Sequence, residues 1–165
     1  MAEYVNVEKP FLEKLKECHW KVIDQGTGIP TDPHASMRSS FDKIALKEEF
    51  IESVGNINPW TTREQLEWCY DRILYSHRNE SLTEINKKVF TYLRKGIQVD
   101  KNEQTGELNP TIKLVDFGKR DENGNWVSKN SFVAINQFKV NTVGMAKSCI
   151  IPDIVCFVNG LPWII

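Results

Sequence analysis

A single carboxylate stands at the head of the most apolar stretch of the chain. Pro152-Asp153 is followed by Ile154, Val155, Cys156, Phe157 and Val158, then by Asn159-Gly160 and a second run, Leu161-Pro162-Trp163-Ile164-Ile165. The first run has the composition of a strand buried on both faces. Asn-Gly between two apolar runs predicts a two-residue hairpin, because both turn positions need positive φ. With that turn, Val158 faces Leu161, Phe157 faces Pro162, Cys156 faces Trp163, Val155 faces Ile164 and Ile154 faces Ile165. Asp153 then faces the position after Ile165. Pro162 falls at a non-hydrogen-bonded site, where its missing N–H does no harm. A carboxylate starting such a strand is costly to bury unless it is paired or holds a metal ion. Asp153 therefore either caps the strand entrance in water or serves as a metal ligand.

Further motifs accompany this segment: Asn136-Gln137-Phe138, the stretch Asp32-Pro33-His34-Ala35-Ser36-Met37-Arg38-Ser39-Ser40-Phe41-Asp42, and Asn58-Pro59-Trp60. Together with Pro152-Asp153 and Asn159-Gly160-Leu161-Pro162, and in the same order, they resemble the N-terminal nuclease region of the restriction (motor and cleavage) subunit of type I restriction-modification enzymes. The resemblance covers most of the chain. It implies a PD-(D/E)xK core, in which the Asp after Pro and a Glu-x-Lys on the next strand form a magnesium centre that cleaves double-stranded DNA. Asp153 would be the bridging metal ligand, the Glu a second ligand, and the Lys would polarise the attacking water. Related nuclease folds often bring an acidic residue from the first helix to the metal, which makes Glu8 a candidate. The alternative for Glu8 is a solvated first-turn carboxylate favoured by the helix dipole.

The chain stops at Ile165, before the Glu-x-Lys of the family pattern, and is read as a C-terminally truncated fragment. One monodentate carboxylate holds magnesium poorly, since that ion dehydrates reluctantly, so the fragment alone is expected to be inactive. In a complete subunit the resemblance implies an ATP-driven DNA translocase after the nuclease, and assembly with methylation and specificity subunits. No Gly-x-x-x-x-Gly-Lys sequence occurs here, so ATP belongs only to the motor part. No small-molecule cofactor is expected on this region.

Composition sets the bounds. At 165 residues and 41% apolar content, the chain is expected to form one domain that buries roughly 70% of its extended surface. A net charge of −1 argues against a dedicated nucleic-acid binder, leaving most phosphate contacts to other parts of a larger machine. Cys18, Cys69, Cys149 and Cys156 lack paired metal-ligand spacing and follow no secretory signal, which points to reduced thiols in the cytoplasm. No apolar run reaches the ~20 residues of a membrane span.

The elements that must position these groups follow from periodicity. Residues 7–18 predict an amphipathic helix with Phe11, Leu12 and Leu15 inward, then a short strand at Trp20, Val22 and Ile23. Residues 25–40 are rich in Gly, Pro, Thr, Asp and Ser and read as an irregular loop, in which His34 and Arg38 could contact phosphate but are taken as loop residues. A helix over 41–54 is expected to end at Gly55. Thr61-Thr62 with Glu64 and Gln65, and Ser81 with Glu84, mark capping boxes that open two further helices, expected to pack as an antiparallel pair. Lys87, Lys88, Arg94 and Lys95 cluster on the latter helix. They either form a solvated face complementing its dipole or face DNA.

After Gly96 the period becomes strand-like: Ile97 to Val99, Thr111 to Phe117, and a hairpin at Asn123-Gly124 leading to Trp126. Residues 131–140 predict a central strand beside 154–158, with Asn136 and Gln137 as polar intrusions. Their amides need structural hydrogen bonds, or Gln137 lies near the active centre. Residues 143–148 read as a flexible link in which Lys147 can reach a phosphate. The fold expected is α+β, a mainly helical part, 1–96, and a mainly sheet part, 97–165, with a mixed sheet that the resemblance implies is of restriction-endonuclease-like type. Two other functions compete. One is a non-catalytic interaction module pairing through an exposed sheet edge. The other is a small-molecule binder with its pocket under the 25–40 loop, which a thermal-shift screen would reveal.

Overall fold

The computed structural model describes residues 4–75, 80–142 and 148–164. A π-helical turn, Tyr4–Glu8, runs into helix α1 (Lys9–Glu17); helices α2 (Lys47–Ile57), α3 (Arg63–Leu74) and α4 (Leu82–Lys95) follow. Ten short strands among the described residues complete the α+β fold: β1 (Lys21–Ile23), β2 (Ile97–Gln98), β3 (Thr111–Ile112), β4 (Lys119–Arg120), β5 (Trp126–Val127), β6 (Phe132–Asn136), β7 (Val140–Asn141), β8 (Cys149–Ile150), β9 (Ile154–Val158) and β10 (Leu161–Ile164). The chain divides into two compact units, Met1–Glu48 with Ser131–Ile165, and Glu49–Asn130.

The first unit is built on a four-stranded sheet of order β1-β6-β9-β10. β6 lies antiparallel beside β9, from Phe132 opposite Val158 to Asn136 opposite Ile154, as the two apolar patterns predict. β1 joins β6 in parallel, Val22 opposite Ala134. Val133, Ala134 and Ile135 are fully buried, so β6 is central. Leu46, Val133, Ile135, Phe138, Val155 and Phe157 form the core, with the Phe138 and Phe157 rings 5.0 Å apart.

The β9–β10 hairpin turns at Asn159 (φ 49°) and Gly160 (φ 75°), the positive-φ pair the sequence requires. Asn159 also exchanges two hydrogen bonds with Ser131: its N–H donates to the Ser131 carbonyl (2.9 Å), and its Oδ1 accepts from the Ser131 N–H (2.8 Å). The expected register holds for Leu161 opposite Val158 and Pro162 opposite Phe157, then slips. Ile164, not Trp163, faces Cys156, because Trp163 is bulged out of the ladder. Regular alternation cannot foresee an inserted residue. The strand expected over 131–140 also ends early, at Asn136, since Gln137 takes a left-handed φ of 49°.

Other corrections are local. Phe11 is 49% exposed, and only Leu12 of α1 is fully buried, so the inward stripe of that helix is narrower than its periodicity implies. Helix α2 starts at Lys47 and passes through Gly55 instead of stopping there. A Cβ at Gly55 would sit 3.3 Å from Leu66 Cδ1, so this glycine serves close packing and not termination. Residues 33–36 of the loop form a 3-10 turn capped by Asp32, whose Oδ1 accepts from the His34 N–H.

In the second unit both predicted capping boxes are present, Thr62 with Gln65 on α3 and Ser81 with Glu84 on α4. Leu66, Cys69, Tyr70 and Ile73 of α3 are buried, and the Tyr70 ring meets Phe50 at 5.4 Å. Helix α4 carries no fully buried residue, and Leu82 is 79% exposed. It touches α3 where the Arg72 guanidinium stands over the Tyr92 ring. Gly96 ends α4 at φ 82°, where a Cβ would collide with the Ile112 carbonyl.

All four cysteines are free thiols. Burial pushes the Cys69 thiol up to about 12, against a small downward pull from Arg72, and raises Cys156 as well. Reactivity requires the thiolate. A thiol reagent at pH 8 is therefore expected to modify the exposed Cys18 rapidly, and Cys69 and Cys156 only as denaturant unfolds the chain. Fast modification of all four in buffer would contradict the packing.

Candidate functional site

One end of the four-stranded sheet collects polar groups. Since β1 and β6 are parallel and β9 is antiparallel, the residues after β1 and β6 lie at the same end as the residues before β9. These are Asp24 and Gln25, Gln137, and Pro152-Asp153 respectively. The chain leaves β6 through the left-handed Gln137, whose N–H donates to the Asp153 carbonyl at 2.8 Å; the next N–H, of Phe138, donates to the Pro152 carbonyl at 3.0 Å. The segment before β9 is thus fixed to the end of β6.

The Gln137 side chain reaches the opposite way. Its Nε2 donates to Glu8 Oε2 at 3.2 Å. Glu8 sits at the join of the π-helical turn and α1, and is 6% exposed. That burial rules out the solvated first-turn alternative. No Lys, Arg or His among the described residues forms an ion pair with it, so a buried carboxylate here is met by one amide alone. Burying a carboxylate without a cation is costly. Asp153 is exposed, which either of its two expected roles allows, and the expense of burying it does not arise.

Asn136 anchors the neighbouring loop. It is fully buried, its Oδ1 accepts from the Gln25 N–H (2.6 Å), and its Nδ2 donates to the Gly26 carbonyl (3.0 Å). The Gln25 amide returns a bond to the Asn136 carbonyl (2.7 Å). Asn136 is thereby structural, as the amide-satisfaction rule anticipates. Beside it, Asp24 accepts from the Tyr4 hydroxyl (2.6 Å) and the Gly26 N–H (2.9 Å). Partial burial pushes the Asp24 carboxyl up, but those hydrogen bonds outweigh it and hold the group below its ordinary range. Sequence reasoning missed Asp24. The only available signal was its place directly after β1, which acquires meaning once β1 is known to run parallel to β6.

The sequence candidates therefore separate. Glu8, Gln137 and Asp153 are brought together, with Gln137 touching the elements that carry both carboxylates. Lys87, Lys88 and Arg94 belong to the other compact unit. Lys88 pairs with Glu80 at 2.6 Å, and the Arg94 guanidinium stands 5.6 Å from the Phe90 ring centre. Lys147 lies outside the described residues. Arg38 is not a phosphate contact: it is 4% exposed and bonded inward to Ser36, Lys43 and Lys139.

Two oxygen donors of the hard, carboxylate type suit magnesium chemistry. Among the described residues no three His, Cys, Asp or Glu side chains come together as a ligand group. No helix among the described residues is long and apolar enough to cross a membrane.

Comparison with known proteins places this sequence in a family. The profile of the family described as type I restriction enzyme R protein N terminus (HSDR_N) matches residues 1–165. A protein of Methanocaldococcus jannaschii, assigned as type I restriction enzyme MjaIXP endonuclease subunit, is 29% identical over 160 residues, 97% of this chain. The type I restriction enzyme HindI endonuclease subunit of Haemophilus influenzae is 26% identical over 163 residues, also 97% of the chain. The chain spans 14% of the length of each of these relatives. No solved structure matches it. By its sequence, from first residue to last, this chain belongs to the family of type I restriction enzyme R protein N-terminal regions.

Proposed function

We propose that the chain contributes the Asp153 end of a magnesium-dependent endonuclease centre that cleaves double-stranded DNA within a type I restriction complex. The observation that carries this reading is that Gln137 hydrogen-bonds both the Glu8 carboxylate and the Asp153 backbone carbonyl at one end of the sheet. Glu8 and Asp153 would hold the ion. Bound magnesium would supply a Lewis acid for the phosphoryl oxygen and a more acidic water. Gln137 keeps the Glu8 carboxylate oriented by its amide N–H and fixes the Asp153 backbone by its main-chain N–H.

Two carboxylates still leave this centre without the Glu-x-Lys of the family pattern. The purified 165-residue chain is therefore expected to leave supercoiled plasmid intact in magnesium. Nicking that disappears in Asp153→Ala would refute this expectation. The reading itself is tested by magnesium-dependent cleavage of supercoiled DNA by a complete subunit, with ATP and the methylation and specificity subunits supplied, with and without Asp153→Ala.

One observation favours a second reading. β10 is an edge of the sheet, and its Trp163 and Ile164 are 46% and 63% exposed. An apolar edge strand of this kind pairs readily with a partner strand. As a non-catalytic interaction module, the chain would bind through β10, and Asp153→Ala would leave its function unchanged.

A further inference from the structure

The second unit carries an exposed surface that the Asp153 centre does not use. The β4–β5 ribbon, closed by Asp121 to Asn125, presents Trp126 at 65% exposure, and Phe117 just before it at 58%. Exposed apolar groups gathered on one surface and rimmed by polar residues mark an interaction site where single ones do not. These two are also held in place. Gly118 has φ 70°, and a Cβ there would fall 2.5 Å from Trp126 Nε1, so one side of the indole lies against the glycine backbone. Asp116 locks the approach, its carboxylate accepting from the N–H groups of Gly118 (2.9 Å) and Lys129 (2.8 Å).

Charge within this unit is divided in the same pattern. Residues 85–95 and 111–130 contain eight Lys and Arg against three Asp and Glu, whereas residues 49–84 and 96–110 contain four against ten. The two basic segments meet at a cavity of about 260 Å³ lined by Arg94, Lys95, Lys113, Phe117 and Gly118, among others. A net charge of −1 for the whole chain conceals this local excess.

We propose that this basic and aromatic surface binds an unpaired DNA strand, with bases stacked on Trp126 and Phe117 and phosphates held by Arg94, Lys113 and Lys119. Cations select a polyanion. Exposed aromatic faces select bases whose own faces are free, which duplex DNA does not offer. The choice of DNA rests on the reading of the chain as part of a DNA endonuclease; the stacking surface does not depend on Asp153.

The test is a fluorescence anisotropy titration of labelled oligothymidylate of about 12 nucleotides with the 165-residue chain, a length within the usual span of such grooves. Trp126→Ala is expected to weaken binding about tenfold, as removal of one stacked base does. Lys113→Gln is expected to flatten the salt dependence. Trp126 is largely exposed, so an unchanged melting temperature will confirm that its loss acts on binding. Phe117→Ala provides the second variant. Wild-type affinity in both aromatic variants, equal competition by blunt duplex, or no binding at low salt would each overturn the proposal. Asp153→Ala is expected to bind as the wild type does. Loss of oligonucleotide binding with Asp153-dependent cleavage intact would sink this inference alone, and the converse result would sink only the nuclease reading.

Discussion

Asp153→Ala in a complete subunit is expected to abolish magnesium-dependent cleavage of supercoiled DNA, by at least about a thousandfold, with ATP hydrolysis retained. The magnitude follows from the role proposed for the metal, which would stabilise several kcal/mol of developing charge, each 1.36 kcal/mol being a factor of ten in rate. The selectivity follows from where Asp153 sits. Its side chain is exposed and makes no hydrogen bond to the described residues, while its backbone carbonyl, which the substitution keeps, is the group bonded to Gln137. Alanine therefore removes a carboxylate and leaves the strand ends joined. Gel analysis of the plasmid, run beside a phosphate-release assay, reads both activities. Unchanged cleavage would make Asp153 structural and would favour the interaction reading. Loss of ATP hydrolysis as well would point to misfolding, which melting of the variant would detect.

The sequence displayed the carriers of the chemistry better than their arrangement. The hairpin was legible because Asn159-Gly160 admits few other backbones, and the capping boxes because each is a local exchange of two hydrogen bonds. The pairing of β6 with β9 was legible because both are apolar on both faces. Three features were hidden because neither propensity nor alternation encodes them. Glu8 looks like any first-turn glutamate until Gln137, 129 residues away, is brought against it. Gln137 leaves the strand because its N–H finds the Asp153 carbonyl, a contact no propensity encodes. The bulge at Trp163 shifts the register beyond Pro162, so the side chains that follow do not oppose the residues that simple alternation assigns. Sequence gives donor types and turn chemistry. It does not give which strand ends share one end of the sheet.

Arg38 illustrates the same point and carries the second large expectation. Arg38→Ala is expected to destabilise the chain by about 3 kcal/mol, lowering the melting temperature by roughly 10 °C for a domain of this size. The guanidinium lies 3.5 Å from the Phe138 ring centre, within the core of the first unit. Its Nε, Nη1 and Nη2 donate to Ser36 Oγ (2.9 Å), the Lys43 carbonyl (2.8 Å) and the Lys139 carbonyl (3.0 Å). One planar fork thus ties the 3-10 turn, the segment before α2 and the chain leaving β6. Alanine removes three hydrogen bonds and uncovers the face of a core phenylalanine. Burial lowers the Arg38 pKa to about 10, so the group remains charged at neutral pH. Its folded pKa lies below the unfolded one, and only between the two does the unfolded chain bind more protons. Its contribution to stability therefore rises with pH above about 10 and is flat near 7. Arg38→Lys is expected not to rescue, since an ammonium lacks the planar fork and stacks poorly on an aromatic ring. Thermal unfolding of both variants at pH 7 decides the matter: a shift under 2 °C in Arg38→Ala would mean that the three bonds and the ring contact contribute little beyond the cost of burying the charge.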